Sequence, residues 1–188
     1  MKTLVILVTL MSSITASLAA QTPVQLTAEE QALMEAAFTG NLDEVERLVS
    51  EGAAVDVFDP EHRTPMMFAA FNGHTPVVGY LLEKGAQVDT KDISGRTALM
   101  YASSGPFAET VGLLLKRGAK VNVQGTLEGF TPLMTAAAEG LVDVVRLLLG
   151  AGADREIKDK DGDTALSFAQ QNGHTEVVAL LENPPDGG

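Results

Sequence analysis

Residues 64–86 read TPMMFAAFNGHTPVVGYLLEKGA, and the same phrase returns along the chain. Thr64-Pro65, Thr97-Ala98, Thr131-Pro132 and Thr164-Ala165 stand 33, 34 and 33 residues apart. Each opens a short apolar, Ala-rich segment: Met66–Ala70, Leu99–Ala102, Leu133–Ala137 and Leu166–Ala169. Gly73, Gly140 and Gly173 follow at one common offset. A Val/Leu segment then ends in a Leu pair at Leu81-Leu82, Leu114-Leu115, Leu148-Leu149 and Leu180-Leu181. Gly85-Ala86, Gly118-Ala119 and Gly152-Ala153 close three of the units, and an earlier copy runs from Gln31 through Gly40 to Gly52-Ala53.

Each recurring residue has a physical task. Thr is a good helix N-cap because its hydroxyl accepts an orphan amide, and Pro is best tolerated at the first helical position. Ala lets a short helix approach its neighbour closely. The mid-unit Gly reverses the chain, the Leu pair of a second helix covers the first, and a Gly ends that second helix. One such unit cannot bury its own apolar faces, whereas a stack can. The pattern predicts an all-α solenoid.

Phrase and period together resemble the ankyrin repeat over roughly residues 29–182. The resemblance implies about five helix–turn–helix units joined by β-hairpins, at about 29–60, 61–93, 94–127, 128–160 and 161–183. Residues 20–28 would be a linker, and 184–188 a flexible tail after Pro184-Pro185. Thr27 and Glu30 form a T-x-x-E capping box ahead of the first unit, which carries Gln31 in the Thr slot. Three departures from the pattern stand out. Gly105-Pro106 replaces the usual mid-unit turn. The Val123–Phe130 connection carries one extra residue and no Asp, so it should be longer or bulged. Arg155 and Ile157 occupy places that are Val or Thr in other units.

Upstream of the array, Met1-Lys2 precede an apolar run from Leu4 to Met11 and then small, polar residues. This is the layout of a cleaved secretory leader over residues 1–19, with cleavage after Ala19 expected and after Ala20 the alternative. The run is about half the roughly 20 residues a spanning helix needs, so no stable membrane insertion is expected after cleavage. The reading places the chain in a bacterial periplasm, or alternatively outside the cell. Net charge is −12, from 13 basic and 25 acidic residues, which repels phosphate backbones and makes nucleic acid a poor partner. Cysteine is absent, which excludes disulfides, thiolate catalysis and Cys-bound zinc.

Residues that could carry chemistry are few. His74 and His174 share one slot after the mid-unit Gly and read as structural; His62 stands where a finger usually has Gly. Asp159–Asp163 begins like a calcium loop, but Thr164 holds its sixth place and Gln170 its twelfth, so an acidic hairpin is the better account. Met34, Met67, Met100 and Met134 fall in one column, followed by Ser167. Adaptable core filling explains them most simply. A soft-metal (copper) buffer or a redox-responsive stack is the alternative. No catalytic residue, metal ligand or cofactor site is expected, and a hydrolase would need a convergent nucleophile and base that the sequence does not show.

What the resemblance implies instead is a protein partner, held on the concave side by hairpin tips and inner-helix ends. Carried over by register, the candidate contacts are Phe38, Phe71, Asn72 and Glu139 on the helices, and Phe58, Arg63, Ile93, Arg96, Leu127 and Phe130 on the fingers. Aromatics are only 5% of the chain, so exposed rings here read as anchors. The competing reading is that Phe38 and Phe71 pack onto their own hairpins as rim residues.

Overall fold

The structure is a computed structural model that describes residues 26–183. The expected leader at 1–19, the linker as far as residue 25 and the tail at 184–188 lie outside the described residues. Among the described residues are ten helices in five antiparallel pairs: α1 (Ala28–Thr39) with α2 (Leu42–Ser50), α3 (Pro65–Phe71) with α4 (Thr75–Glu83), α5 (Ala98–Ala102) with α6 (Ala108–Lys116), α7 (Pro132–Ala138) with α8 (Val142–Gly150), and α9 (Ala165–Gln171) with α10 (Thr175–Glu182). Odd-numbered helices pack on odd and even on even, in chain order, giving two layers of an all-α repeat solenoid. The core lies between the layers, where Leu81, Leu114 and Leu148 from the outer helices meet the Ala pairs of the inner ones.

The helix starts follow from the sequence. The hydroxyls of Thr64, Thr97, Thr131 and Thr164 accept from the amides of Met67, Met100, Met134 and Ser167 at 3.2–3.5 Å. Two methionines return the bond: the Thr64 and Thr131 amides each donate to the thioether of Met67 and Met134, at 3.4 Å. Sulfur is a weak acceptor, but it serves here where a capping-box Glu would otherwise reach back. Thr27 and Glu30 make the full reciprocal box, one turn earlier than in later units, and lengthen α1 to 12 residues.

Unit-to-unit ties explain the histidines. His74 Nε2 lies 3.0 Å from the Phe38 carbonyl, and His174 Nε2 lies 3.0 Å from the Ala138 carbonyl. In the third unit Phe107 takes this slot, and its ring covers Gly73 of the preceding turn. The Gly105-Pro106 turn is reshaped as expected: its closing bond, Phe107 amide to Gly105 carbonyl, falls one residue earlier than Thr75 amide to Gly73 carbonyl.

The fingers depart from the hairpin expectation. No strand forms among the described residues. Three fingers are tight turns closed by two backbone bonds each: the Asp59, Asp92 and Asp159 amides donate to the Arg63, Arg96 and Asp163 carbonyls, and the His62, Gly95 and Gly162 amides donate back to the Asp carbonyls, so the arms are too short to pair as a ladder. Neighbouring fingers are stitched instead by single bonds: Ile93 amide to Glu61 carbonyl, Thr126 amide to Ser94 carbonyl, and Lys160 amide to Glu128 carbonyl. The third finger closes from Gly125 to Phe130, one residue longer than the others, as its extra residue requires.

Arg155 acquires a role that its odd position did not disclose. Its Nη1 donates to the carbonyl of Leu181 at 2.6 Å and to that of Glu182 at 3.4 Å, at the end of the last helix. Those carbonyls are orphans of a helix C-terminus, where a cation also meets the negative end of the helix dipole. Arg155→Ala is expected to cost about 1–2 kcal/mol, discounted for the partial exposure of the guanidinium, with the loss confined to α10. Hydrogen exchange should show lower protection in residues 178–182 and unchanged protection in α3; equal protection in both proteins would refute the assignment.

Candidate functional site

The side of the array that carries the fingers is built from two columns of the inner helices. Four places after each capping Thr, or after Gln31 in the first unit, come Glu35, Phe68, Tyr101, Thr135 and Phe168. Seven places after it come Phe38, Phe71, Ser104, Ala138 and Gln171. The second column of one unit meets the first column of the next. Phe38 lies edge-on to Phe68, with centroids 6.1 Å apart and planes at 79°; Phe71 meets Tyr101 at 6.1 Å and 87°. Phe38 and Phe71 therefore pack on the following unit's inner helix, and they remain 43% and 47% exposed.

Fingers roof these rings. The Asp59 carboxylate accepts from the amides of Glu61 and Arg63 and from Arg63 Nε at 2.7–3.0 Å, which fixes both the turn and the arginine. Asp92 does the same for Ser94 and Arg96, and it also accepts the Tyr101 hydroxyl at 2.8 Å. The guanidiniums so held lie over the rings of Phe68 and Tyr101, at 4.8 and 4.9 Å from the centroids. Burial, and then the bond to Asp92, push the Tyr101 hydroxyl above the ordinary phenol range, so it stays a neutral donor at physiological pH.

Three depressions share walls along this side. One of about 340 Å³ runs from Leu26 to Phe38 and Phe68; one of about 260 Å³ lies between Phe38, Phe71 and Arg63; the largest, about 450 Å³, is bounded by Phe71, Tyr101, Leu127 and Phe130. Of the residues singled out in the sequence, Phe38, Arg63, Phe71, Arg96, Leu127 and Phe130 are brought together here. Ile93 and Leu127 are each 62% exposed at finger tips. Phe58 stacks on His62, with centroids 5.3 Å apart, at the base of its finger. Asn72 is placed otherwise than as a free contact: its amide group donates to the Phe38 carbonyl at 2.8 Å, tying two units together. Glu139 is exposed but lies outside the lining of the three depressions.

Phe68, Tyr101 and Phe168, which floor or flank this side, escaped the sequence reading. Their signal was present as a column four residues after Thr, and it was obscured because ordinary core residues recur at the same period. The methionine column is buried, between 1% and 7% exposed, and two of its four sulfurs face their own helix caps. Asp159 spends one carboxylate oxygen on the amides of Asp161 and Asp163, as the other finger aspartates do. Among the described residues no three His, Asp or Glu side chains are grouped as metal ligands, and no helix is long and apolar enough to cross a membrane.

Comparison with known proteins agrees with this geometry. A family model described as ankyrin repeats in three copies matches residues 10–92, 33–125 and 99–186. A Probable E3 ubiquitin-protein ligase of Oryza sativa subsp. japonica is 49% identical over 51 residues, 27% of this chain and 10% of that protein. Ankyrin repeat family A protein 2 of Mus musculus is 51% identical over 49 residues, 26% of this chain and 16% of that protein. The aligned segment thus spans between a tenth and a sixth of the length of these relatives. Ankyrin repeats are generic protein–protein interaction modules. With the family model covering nearly the whole sequence and the helix pairs stacking at its period, this chain belongs to the ankyrin-repeat family.

Proposed function

We propose that the chain is an exported binding module, working in a bacterial periplasm, that holds one partner protein along the groove between its fingers and inner helices. The observation that carries this reading is the row of exposed Phe38, Phe71, Ile93 and Leu127 beside three joined depressions. Exposed rings set among neutralised Arg–Asp pairs offer apolar anchor area at low cost in desolvation. Export rests on the leader-like pattern of residues 1–19.

Affinity capture from periplasmic extract tests the reading, using protein that lacks residues 1–19. A specific partner should be retained by the natural sequence and lost from the Phe38→Ala/Phe71→Ala variant, with Phe71→Ala alone weakening binding by about 2 kcal/mol. Both rings are over 40% exposed, so the array should keep its melting temperature. Retention of the same proteins by both forms would sink the groove, and an unprocessed chain in the cytoplasmic fraction would sink the export.

A further inference from the structure

We propose that the junction between the third and fourth units is a socket for an aromatic side chain of the partner, presented on a basic segment. This rests on the binding role above and specifies its occupant. At the first two junctions the array supplies both rings of an edge-to-face pair, Phe38 with Phe68 and Phe71 with Tyr101. At the third, the equivalent places hold Ser104 and Thr135. Phe130, standing where other fingers place Arg63 or Arg96, turns onward to Phe168, with centroids 5.0 Å apart. The void left between Phe71, Tyr101, Leu127 and Phe130 is the largest of the three depressions on the finger side, about 450 Å³, within the range of ligand pockets.

Four of the polar side chains around this void, those of Ser104, Thr135, Arg96 and Tyr101, are already committed and do not demand a polar guest. Ser104 Oγ donates to the Tyr101 carbonyl at 2.8 Å and Thr135 Oγ1 to the Thr131 carbonyl at 3.1 Å. Arg96 and the Tyr101 hydroxyl are both held by Asp92. What remains, beside Ser94 and Glu128 at the rim, is ring edges and faces at the spacing a third ring would complete.

Charge settles what flanks that ring. Glu128, exposed on the rim, has no ion-pair partner among the described residues, and the nearby Lys160 ammonium is given to the Thr126 carbonyl. Exposed Asp161 and Glu139 and a net charge of −12 extend the same sign, so Lys or Arg beside the aromatic residue is favoured. Residues 1–25 and 184–188 contain no Phe, Tyr or Trp, so neither segment supplies a ring for the socket.

Anisotropy titration of the full chain with fluorescein-labelled Lys-Lys-Ala-Phe-Ala-Lys-Lys tests the socket. This peptide should bind at least about tenfold tighter than its counterpart with central Ala, and tighter than one with Glu in place of every Lys. Ser104→Phe, which supplies the missing ring, should weaken the Phe peptide by at least about tenfold and keep the helical signal and melting temperature. Glu128→Lys, at an exposed finger tip, provides a second variant and should erase the preference for Lys flanks. Equal affinity for the Phe and Ala peptides, no binding of either up to about 1 mM, or undiminished binding by Ser104→Phe would overturn the proposal. So would a dimer of the natural chain that Ser104→Phe dissociates, since the occupant would then be a second copy. A captured partner that survives Ser104→Phe but is lost in Phe38→Ala, a residue outside the socket, would remove the socket and leave the groove standing.

Discussion

Gly73→Ala is expected to cost about 2–5 kcal/mol, although it adds a single methyl group. Two penalties combine. Gly73 has φ +70°, a left-handed conformation that costs an L-residue about 1–2 kcal/mol. A Cβ built there would also lie 2.1 Å from Cδ1 of the Phe107 ring, so the next unit must move, at about 1–3 kcal/mol for an overpacked contact. The chain contains its own control. Gly173 has φ +75° in the same turn of the fifth unit, but nothing among the described residues lies within 4 Å of its built Cβ. Gly173→Ala should therefore show the conformational cost alone. Denaturant midpoints of both variants, and of Gly73→Ala in a Phe107→Ala background, separate the terms. The methyl should cost less once the ring is gone. Equal losses for Gly73→Ala and Gly173→Ala would show that Phe107 exerts no steric hold on the turn.

How far the sequence discloses this molecule depends on the type of feature. Helix starts were legible because Thr64, Thr97, Thr131 and Thr164 act locally, through an amide three residues away. The longer third finger was legible as one residue too many between two fixed points. The absence of strands in the fingers was not, since the family's hairpin label describes chain reversal and an Asp-centred turn completes that reversal without a ladder. Partners 26 residues apart, such as Arg155 and the Leu181 carbonyl, were also hidden, because only the stacked geometry brings them together. The same limit applied to the groove. Phe38 and Phe71 could be placed on the finger side by register, but the rings they meet could not. The gap at Ser104 and Thr135 becomes visible only when two columns from different units are read across a junction.

Asp92→Ala is the second change expected to be severe, and it links stability to the binding side. The Asp92 side chain is 1% exposed and accepts from the Ser94 and Arg96 amides, Arg96 Nε and the Tyr101 hydroxyl. Removing it leaves partly buried donors unpaired, at about 1–3 kcal/mol for each group that water cannot reach. Arg96 is half exposed and can rehydrate, so about 3 kcal/mol in total is expected, or about 6–12 °C in melting temperature for an array of this size. Asp59→Ala removes a similar finger carboxylate that holds no tyrosine hydroxyl, so it should cost less by about 1 kcal/mol. Tyr101→Phe offers an internal check: with the hydroxyl already deleted, the further loss on Asp92→Ala should shrink by a similar amount. The functional consequence follows from position. Freed of its carboxylate, the Arg96 guanidinium no longer has a fixed place over the Tyr101 ring, and that ring forms one wall of the largest depression. A variant still folded at low temperature should therefore bind less well at that depression, while the contacts around Phe38 keep their strength. A melting temperature within about 2 °C of the natural chain would show that the carboxylate holds neither finger nor wall.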